Sequence, residues 1–325
     1  MKAAWYDRNG PARDVLQVGE IPDPEPGNGE ARVRIHASGV NPSDWKTRSG
    51  SRPMVGPRVI PHSDGAGIVD RVGEGVAEAR VGERVWVWNA QWKRPFGTAA
   101  EYVVLPAEQA VRLPEAVSFQ EGACLGIPAL TAYRAVNVDG SVAGQRVLVT
   151  GGAGAVGQYA IQMARLRGAA SVFATVSSAE KAEVALAAGA DAAINYRSES
   201  VPDRVAALTD GQGVDRVVEV DIAGNAQMLP ALVAQDGLCV AYGSNTPEIK
   251  LQFGPMILSG AAVRFFIVYE LPGAARREAI AELTRWLEEG RLRHSIGAEY
   301  SLDQIAEAHE AVEQGSVIGN VIVRP

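Results

Sequence analysis

The stretch RVLVTGGAGAVGQYAIQMARLRG, residues 146–168, decides the fold. Its apolar run at 147–149 lacks the alternation of a half-exposed strand and is typical of a strand buried on both faces of a parallel sheet. Glycines follow at once, in the spacing G-x-G-x-x-G. Small and apolar residues then recur at helical spacing up to Gly168, which offers a stop. The stretch therefore predicts a strand, a glycine turn and a helix.

This arrangement favours a dinucleotide-binding loop. Gly152 would permit a sharp turn, Gly154 would let a pyrophosphate approach the backbone, and Gly157 would let helix and strand pack closely. The phosphates would then face the amino end of the helix. A glycine-rich turn that binds nothing is the alternative, but the position between strand and helix favours the cofactor loop. The predicted loop residues are Gly152, Ala153, Gly154, Ala155, Val156 and Gly157.

Length and composition narrow the class of protein. A chain of 325 residues exceeds one ordinary core and predicts about two domains. The formal charge of −7 gives no basic face for nucleic acid or an anionic membrane, so we expect a small-molecule partner. No apolar run reaches membrane-spanning length, and Asp7 and Arg8 interrupt the start, which predicts a cytoplasmic protein. Cys124 and Cys239 lie far apart in apolar surroundings and predict reduced, buried thiols.

The remaining chain divides into two textures. Up to about residue 113, short β-rich runs separated by Gly and Pro predict an antiparallel, barrel-like domain. From about residue 118 helical spacing begins, and strands then alternate with helices, which predicts a doubly wound parallel sheet. A strand at 320–323 is expected to return to the first domain. The predicted strands are 32–35, 67–72, 84–88, 99–105, 171–176, 192–196, 214–220, 237–242 and 263–268; the predicted helices are 178–188, 201–208, 225–234, 275–289 and 302–313.

The end of the second parallel strand indicates the cofactor. A site for NAD places an acidic residue there to bind the ribose hydroxyls, whereas this chain has Ser177. With Lys181 one helical turn later, the position can hold the extra 2′-phosphate of NADPH. Alternatively, Ser177 and Glu180 form an ordinary capping box and Lys181 is merely solvated. Capping and phosphate binding can coexist, so we predict NADPH.

Other chemistries find no support in the sequence. His62, Ser63 and Asp64 are consecutive and cannot converge as a catalytic triad, and no nucleophile turn or Walker loop is present. His309 lies in a zinc-like motif without its second histidine, and we predict a solvated helix face there. Four histidines and two cysteines show no ligand spacing, so no metal site is predicted. Without a metal to stabilise an alkoxide, the hydride acceptor must itself tolerate negative charge, as quinones and conjugated carbonyls do.

Dispersed motifs carry a family resemblance over nearly the whole chain. They are GVNPSDWKTRSG (39–50), IPHSDGAGIVDRVGEGV (60–76), GERVW (82–86), GTAAEYVVLP (97–106), GIPALTAYRA (126–135), the glycine loop, and AEAHE (306–310). Together they resemble the zinc-free quinone oxidoreductase branch of the medium-chain dehydrogenase/reductase superfamily, the zeta-crystallin-like group. The resemblance implies an α/β protein with a GroES-like β-barrel domain (1–122 and 290–325) and a Rossmann domain (123–289). It also implies NADPH in the cleft between them and a homodimer.

The resemblance further implies site residues. Residues 153–156 would meet the pyrophosphate, and Thr131 would flank the nicotinamide. Lys46 stands where tyrosine is common, Asn320 where a lysine often follows glycine, and Ser63 where the zinc-dependent relatives have histidine. The other implied cofactor residues are Ser177, Lys181 and Tyr196 at the 2′-phosphate, Tyr242, Gly243 and Ser244 beside the cofactor, Phe266, Ile267 and Val268 at the nicotinamide through backbone groups, and Asn320.

We therefore predict a zinc-independent, NADPH-dependent enzyme that transfers hydride to a quinone or related conjugated carbonyl. Asn41, Lys46 and Thr131 are the catalytic candidates, for polarising the acceptor or orienting the nicotinamide. Asn41 could instead only make a turn before Pro42, Tyr196 could only end a strand, and residues 263–268 could be core or a dimer strand. An enoyl or 2-alkenal reductase and a non-catalytic NADPH-binding protein are the alternative functions.

Overall fold

The computed structural model describes residues Met1–Pro325 and contains two units. The first unit comprises Met1–Pro128 with Ile280–Pro325, and the second comprises Ala129–Ala279. The predicted boundaries, after residues 122 and 289, lie six and ten residues from these, and one helix runs through the second. The strands are β1 (Lys2–Trp5), β2 (Gln17–Glu20), β3 (Glu30–Val40), β4 (Asp64–Val72), β5 (Arg84–Val87), β6 (Tyr102–Pro106), β7 (Ala110–Arg112), β8 (Arg146–Val149), β9 (Ser171–Val176), β10 (Ala192–Asn195), β11 (Val214–Glu219), β12 (Val233–Ala241), β13 (Ala262–Phe265), β14 (Ile296–Ser301) and β15 (Asn320–Arg324).

The helices range from single turns of four residues to the 16 residues of Gly273–Glu288. None of them combines the length and the apolar character that a membrane span requires. Single turns of π- or 3₁₀-helix connect several elements, among them Thr47–Ser51 and Leu125–Ala129. The α-helices are α1 (Ala12–Val15), α2 (Pro42–Lys46), α3 (Phe119–Gly122), α4 (Leu130–Asn137), α5 (Ala155–Leu166), α6 (Ala179–Ala187), α7 (Val201–Leu208), α8 (Ile222–Asn225), α9 (Leu229–Leu232), α10 (Phe253–Ser259), α11 (Gly273–Glu288) and α12 (Ile305–Glu313).

The second unit contains a six-stranded sheet in the order β10-β9-β8-β11-β12-β13. Every neighbouring pair is parallel. Val147, Leu148 and Val149 of β8 are fully buried, and burying each such aliphatic side chain contributes about 1.5–3 kcal/mol. The order is that of the dinucleotide-binding doubly wound fold, whose chain direction switches at the central strand. The predicted parallel sheet is thus confirmed, and its switch point lies at the carboxyl ends of β8, β9 and β11.

Two predictions in the second unit are wrong. The helix expected over 225–234 is two short helices, α8 and α9, and Val233 already begins β12. At Asp236 the backbone has a left-handed φ of 58°, and the pairing of β12 with β11 shifts register there. The strand continues through this irregularity, so the apolar residues before Asp236 belong to β12. The strand expected over 263–268 ends at Phe265, and a 3₁₀ turn follows at Val268–Glu270.

The first unit contains a seven-stranded sheet: six strands follow the order β14-β15-β3-β4-β5-β7, and β6 pairs with β3 off this path. Its pairs are antiparallel except for β14 and β15. Val33, Val69, Val85 and Val103 are buried together on the inner face. β15 pairs with β3, which confirms the predicted return of the last strand, whereas the β1–β2 hairpin and β14 carried no pattern that predicted them.

Candidate active site

The glycine loop of the second unit presents an uncapped helix start. Gly154 is the N-cap of α5, with extended backbone angles, and no side chain caps the first turn. The first turn also contains no acidic residue. Gly154 is exposed, and its own N–H donates to the carbonyl of Gly151 at 2.9 Å. Ala155 and Val156 are half-buried, and their N–H groups lie in the first turn of the helix, where no intrahelical acceptor exists. Such a helix terminus is a binding site for phosphate.

The structure changes the predicted role of one glycine in the loop and keeps that of another. Gly151, with a φ of 65°, makes the sharp turn that the sequence assigned to Gly152. Gly152 is instead needed for packing, because a Cβ there would lie 2.5 Å from the Cβ of Ala174. A Cβ on Gly157 would overlap the carbonyl oxygen of Gly151, so Gly157 allows the close approach of α5 that its spacing predicted. Ala153 is buried and its carbonyl accepts a hydrogen bond from Gln158.

The end of β9 lies beside this loop. Thr175 holds the loop twice: its hydroxyl accepts from the N–H of Gly151 at 3.1 Å, and its carbonyl accepts from the N–H of Gly152 at 2.9 Å. The N-cap of α6 is Ser178, which accepts from the N–H of Lys181 at 3.2 Å. The alternative capping box at Ser177 is therefore wrong, and the hydroxyl of Ser177 is not needed to cap the helix.

Two of the three residues predicted at the 2′-phosphate come to neighbouring strand ends. The N–H of Tyr196 donates to the carbonyl of Val176 at 3.1 Å, which places Tyr196 beside the residue that precedes Ser177. Lys181 follows in the first turn of α6, where the positive end of the helix dipole also favours an anion. The side chain of Tyr196 is about half exposed. Ser177 and Tyr196 thus follow the carboxyl ends of β9 and β10, and Lys181 is the one cation among the three predicted residues.

A cavity of about 320 Å³ opens between the carboxyl ends of β8, β9 and β11. Tyr196 is the only lining residue that the sequence singled out. Thr150 and Gly151 follow β8, and Val220 and Asp221 follow β11, at the switch point, and that position was the available signal for them. Its polar lining comprises Thr150, Thr175, Tyr196, Asp221, Asn225 and Asn245.

Glu219 organises the floor of this cavity. It is fully buried at the end of β11, and one carboxylate oxygen accepts from the Thr150 hydroxyl at 3.0 Å, the Asp221 N–H at 2.6 Å and the Asn225 amide at 2.9 Å. Burial raises the pKa of Glu219, and these three hydrogen bonds oppose the rise. Glu219 thus fixes the residue that precedes the glycine loop.

A second cavity, of about 640 Å³, lies at the carboxyl ends of β12 and β13. Five of the residues predicted around the cofactor line it: Tyr242, Gly243, Ser244, Phe266 and Ile267. Most of its lining is apolar, as is usual for small-molecule sites.

Val268 and Thr131 occupy different surroundings from this cavity. Val268 is buried outside it, and its carbonyl accepts from the guanidinium of Arg276 at 2.8 Å, so that backbone group is already occupied. Thr131 is buried on α4.

Asn41 is the best-anchored candidate of the first unit. It is the N-cap of α2 and is 4% exposed. Its backbone N–H donates to Asp44 at 2.7 Å, and its side-chain amide donates to Asp64 at 2.8 Å. Lys46, half-buried at the end of α2, places its ammonium 5.8 Å from the ring centre of Trp45.

Both carboxyl groups that hold Asn41 are fully buried. Burial raises the pKa of Asp44 to about 7, against the opposing effect of its bond from Asn41. Burial also raises the pKa of Asp64 well above its usual value, and the charge of Asp44 adds to the rise. Only one oxygen of Asp64 is hydrogen-bonded; the other, Oδ1, has no partner.

His309 is buried, so the predicted solvated helix face is wrong. Its Nε2 lies 3.0 Å from Nε2 of His62, whose Nδ1 lies 2.8 Å from the Ser38 hydroxyl. Ser38 in turn contacts the hydroxyl of Thr98 at 2.7 Å, and Thr98 donates to the carbonyl of Asp64 at 2.5 Å. Because that carbonyl can only accept, the direction of every hydrogen bond in this row is fixed: Ser38 donates to Thr98, Nδ1 of His62 donates to Ser38, and Nε2 of His309 donates to Nε2 of His62. Burial lowers the pKa of His62 to about 3 and that of His309 well below its usual value, so both rings are neutral.

Asn320 stands at the start of β15. Both its backbone N–H and its side-chain amide donate to the carbonyl of Ser295 at 2.8 Å, which braces β15 against β14. Its implied role at the cofactor stays a prediction.

Comparison with known proteins assigns the family. The alcohol dehydrogenase GroES-like domain family matches residues 27–115, and the zinc-binding dehydrogenase family matches residues 155–289. The quinone oxidoreductase of Pongo abelii is 31% identical over 316 residues, which cover 96% of this chain and 93% of that protein. The chain belongs to the quinone oxidoreductase family of medium-chain dehydrogenases/reductases.

Solved structures of this superfamily match over the full length. The Escherichia coli quinone oxidoreductase complexed with NADPH has a TM-score of 0.88 at 27% identity, and each chain is covered completely. A structure described as an NAD-dependent alcohol dehydrogenase has a TM-score of 0.92 at 30% identity, again over 100% of both chains. The fold is therefore shared by relatives described with either nicotinamide cofactor.

Proposed function

We propose that this quinone oxidoreductase family member is a zinc-independent reductase that uses NADPH to reduce a quinone or a related conjugated carbonyl. The observation that carries the proposal is the uncapped start of α5, followed at the end of β9 by Ser177 and Lys181 in place of an acidic residue. Relatives that are named quinone oxidoreductases, one of them solved with NADPH, support the same cofactor and acceptor class.

The residues of the second unit fit the parts of NADPH separately. The N–H groups after Gly154 would hold the pyrophosphate, because nothing in the chain caps them. Ser177, Lys181 and Tyr196 would hold the 2′-phosphate by hydrogen bonds and charge. The apolar cavity lined by Tyr242 and Phe266 would hold the nicotinamide and exclude water from it.

NADPH, when bound, supplies a hydride. The acceptor takes up this electron pair and proton, its conjugated oxygens spread the resulting negative charge, and a proton from water completes the hydroquinone. We propose that Asn41 and Lys46 polarise the acceptor oxygen and that Thr131 orients the nicotinamide. Rate then arises mainly from holding two flat molecules in register.

Zinc does not fit the side chains of this chain. A catalytic zinc needs three protein ligands, and no group of three or more His, Cys, Asp or Glu side chains comes together here. Ser63, where zinc-dependent relatives are expected to have histidine, is buried and supplies only a neutral hydroxyl. We therefore propose that the acceptor, rather than a metal, carries the developing charge.

Oxidation of NADPH and NADH by the purified, metal-analysed protein tests the proposal. The panel comprises ortho- and para-quinones and conjugated enones. Turnover of quinones without zinc, with NADPH preferred, supports it. Turnover of enones alone would move the function to double-bond reduction, and tight NADPH binding with no turnover on the whole panel would favour a non-catalytic binding protein.

We also propose that two copies pair through the edge strand β13. This strand ends the six-stranded sheet, so one side of its backbone has no neighbouring strand. The adjoining surface is unusually apolar for exposed chain: Phe253 is 77% exposed, Leu258 81% and Phe265 55%. A second copy of the same edge would cover both features symmetrically.

We also propose a cytoplasmic location, as predicted from the sequence, and the cysteines support it. Cys124 and Cys239 are both buried and free, as predicted. Thiols of this kind are typical of a reducing compartment. Fractionation of cells that express the tagged full chain tests the location.

A further inference from the structure

Asp64, at the start of β4, lies outside both cavities and is one of the few buried acids in the protein. It is fully buried. Its Oδ2 accepts from the amide nitrogen of Asn41 at 2.8 Å and from the backbone N–H of Ile127 at 2.9 Å. No lysine or arginine pairs with it, and the nearest charged group that influences it is another acid, Asp44.

Such a residue is expensive to keep in a core. A buried carboxyl without a cation costs several kcal/mol, and two hydrogen bonds return only part of that. The surroundings are nevertheless shaped around it. A side chain on Gly126 would overlap Oδ1 of Asp64, so only glycine leaves room for the carboxyl group. An apolar residue would fill this position at lower cost if packing were its only purpose.

The two bonds to Oδ2 determine how Asn41 is oriented. The N–H of Ile127 can only donate, so Oδ2 takes the acceptor role, and the nitrogen of the Asn41 amide must face it. The carbonyl oxygen of that amide is thereby turned away from Asp64. The backbone of Asn41 is fixed independently, through its N–H bond to Asp44. Asn41 is thus held through its backbone by Asp44 and through its amide nitrogen by Asp64, and its side chain also takes part in the capping box of α2.

We propose, on the basis of the function proposed above, that Asp64 is the positioning residue for Asn41. It holds one N–H of the Asn41 amide so that the second N–H can donate to the acceptor oxygen, and it acts on the reaction only through that amide. The role requires an acceptor oxygen at the position of Oδ2, which takes hydrogen bonds from both Ile127 and Asn41.

A double-mutant cycle tests this proposal. The variants are Asp64→Ala, Asn41→Ala and the combination, with kcat and KM measured on 9,10-phenanthrenequinone. A misplaced reacting group can lose about 100-fold in rate, so we expect each single variant to lose roughly 10- to 100-fold in kcat. The double variant should lose no more than either, because Asp64 acts only through Asn41.

Two further variants separate positioning from folding. Asp64→Asn keeps the shape and an acceptor oxygen, and should retain kcat within about threefold of wild type. Val103→Ala opens a cavity in the buried cluster that contains Val33 and Val69, and should lower the free energy of unfolding by about 1–3 kcal/mol without a change in kcat. Loss of kcat in Val103→Ala comparable to that in Asp64→Ala would overturn the positioning role.

A measurement independent of turnover completes the design. The side-chain amide signal of Asn41, assigned by its loss in Asn41→Ala, should shift and exchange faster with solvent in Asp64→Ala and stay in place in Asp64→Asn. An unchanged signal in Asp64→Ala overturns the proposal, as does a loss of kcat in Asp64→Ala when Asn41→Ala is fully active. If the wild type reduces no quinone, the proposed function fails, and the amide signal alone decides whether Asp64 orients Asn41.

Discussion

Replacing Gly154 by serine should separate the stability of the second unit from its affinity for NADPH. Gly154 is the N-cap of α5, with φ −74° and ψ 169°, which serine adopts readily. The hydroxyl would accept a hydrogen bond from the first turn of the helix. Those N–H groups are the ones we propose for the pyrophosphate, so cap and cofactor would compete for them.

The structure sets the size of both effects. The only atom near an added Cβ is the carbonyl oxygen of Gly151, at 3.3 Å, a tight contact that a small shift relieves. Since serine is better than glycine at an N-cap by only a few tenths of a kcal/mol, the free energy of unfolding should change by less than about 0.5 kcal/mol. Hydrogen bonds to a charged group contribute about 1.5–3 kcal/mol, so the Kd for NADPH should rise about 10- to 100-fold.

Fluorescence titration with NADPH and NADH, together with urea unfolding of the free protein, measures both quantities. The two cofactors share the pyrophosphate, so both should weaken by the same factor. Gly273→Ser is the matched control, because an added Cβ there meets only the flexible end of Arg277, at 3.3 Å. Unchanged affinity in Gly154→Ser would refute the assignment of this loop to the pyrophosphate, and a loss of more than 2 kcal/mol in stability would refute the steric reasoning.

Three further predictions concern Lys181 at the proposed 2′-phosphate site, the edge strand β13, and the buried groups Asp44 and His62. Lys181→Ala should raise the Kd for NADPH about tenfold and leave that for NADH unchanged in the same titration, whereas equal weakening of both would remove Lys181 from the 2′-phosphate site. Leu258→Asp should convert the proposed dimer to a monomer, as measured by light scattering, whereas Leu186→Asp, at an exposed leucine on α6, should leave it a dimer. If both variants are monomers, or both are dimers, the β13 interface is contradicted. Asp44, with a folded pKa of about 7, stabilises the folded state below pH 3.8, and this stability is lost as the pH rises to 7. His62, with a folded pKa of about 3, acts in the opposite direction: it stabilises the folded state above pH 6.5, and this stability is lost as the pH falls to 3. In Asp44→Asn this opposing acid is removed, so the free energy of unfolding should rise more steeply with pH between 4 and 6.5 than in the wild type, by about 1.4 kcal/mol per pH unit. Urea unfolding at several pH values measures it, and an equal dependence on pH in the two proteins would contradict the prediction.

The second unit was predictable because its signals are local. The apolar run of β8, the glycine loop and the helical spacing after it lie in one short stretch, and each neighbouring strand repeats the pattern. The errors occurred where tertiary pairing overrode that pattern. Val233 follows a helical turn but pairs with Val214 of β11, so it belongs to a strand. The serine that caps α6 is one residue later than predicted, since either serine satisfies the cap preference.

The first unit was less predictable because its site depends on distant pairs. The charged neighbours of His309 in the sequence predict a solvated position. It is buried because it pairs with His62, which lies 247 residues away in the sequence. Nor does any local pattern bring Asp64 to Asn41. The family resemblance indicated Asn41, but the acid that holds its amide emerged only from the structure.

The pairing of β15 with β3 also has a consequence for how the protein is made. β3 leaves the ribosome about 280 residues before the strand that completes its sheet, and at about 5–20 residues per second that interval lasts tens of seconds. The second unit is continuous in the chain and can fold during this time. During synthesis the edge of β3 that β15 will cover is therefore open to other strands, and we expect the nascent first unit, rather than the second, to be the client of chaperones.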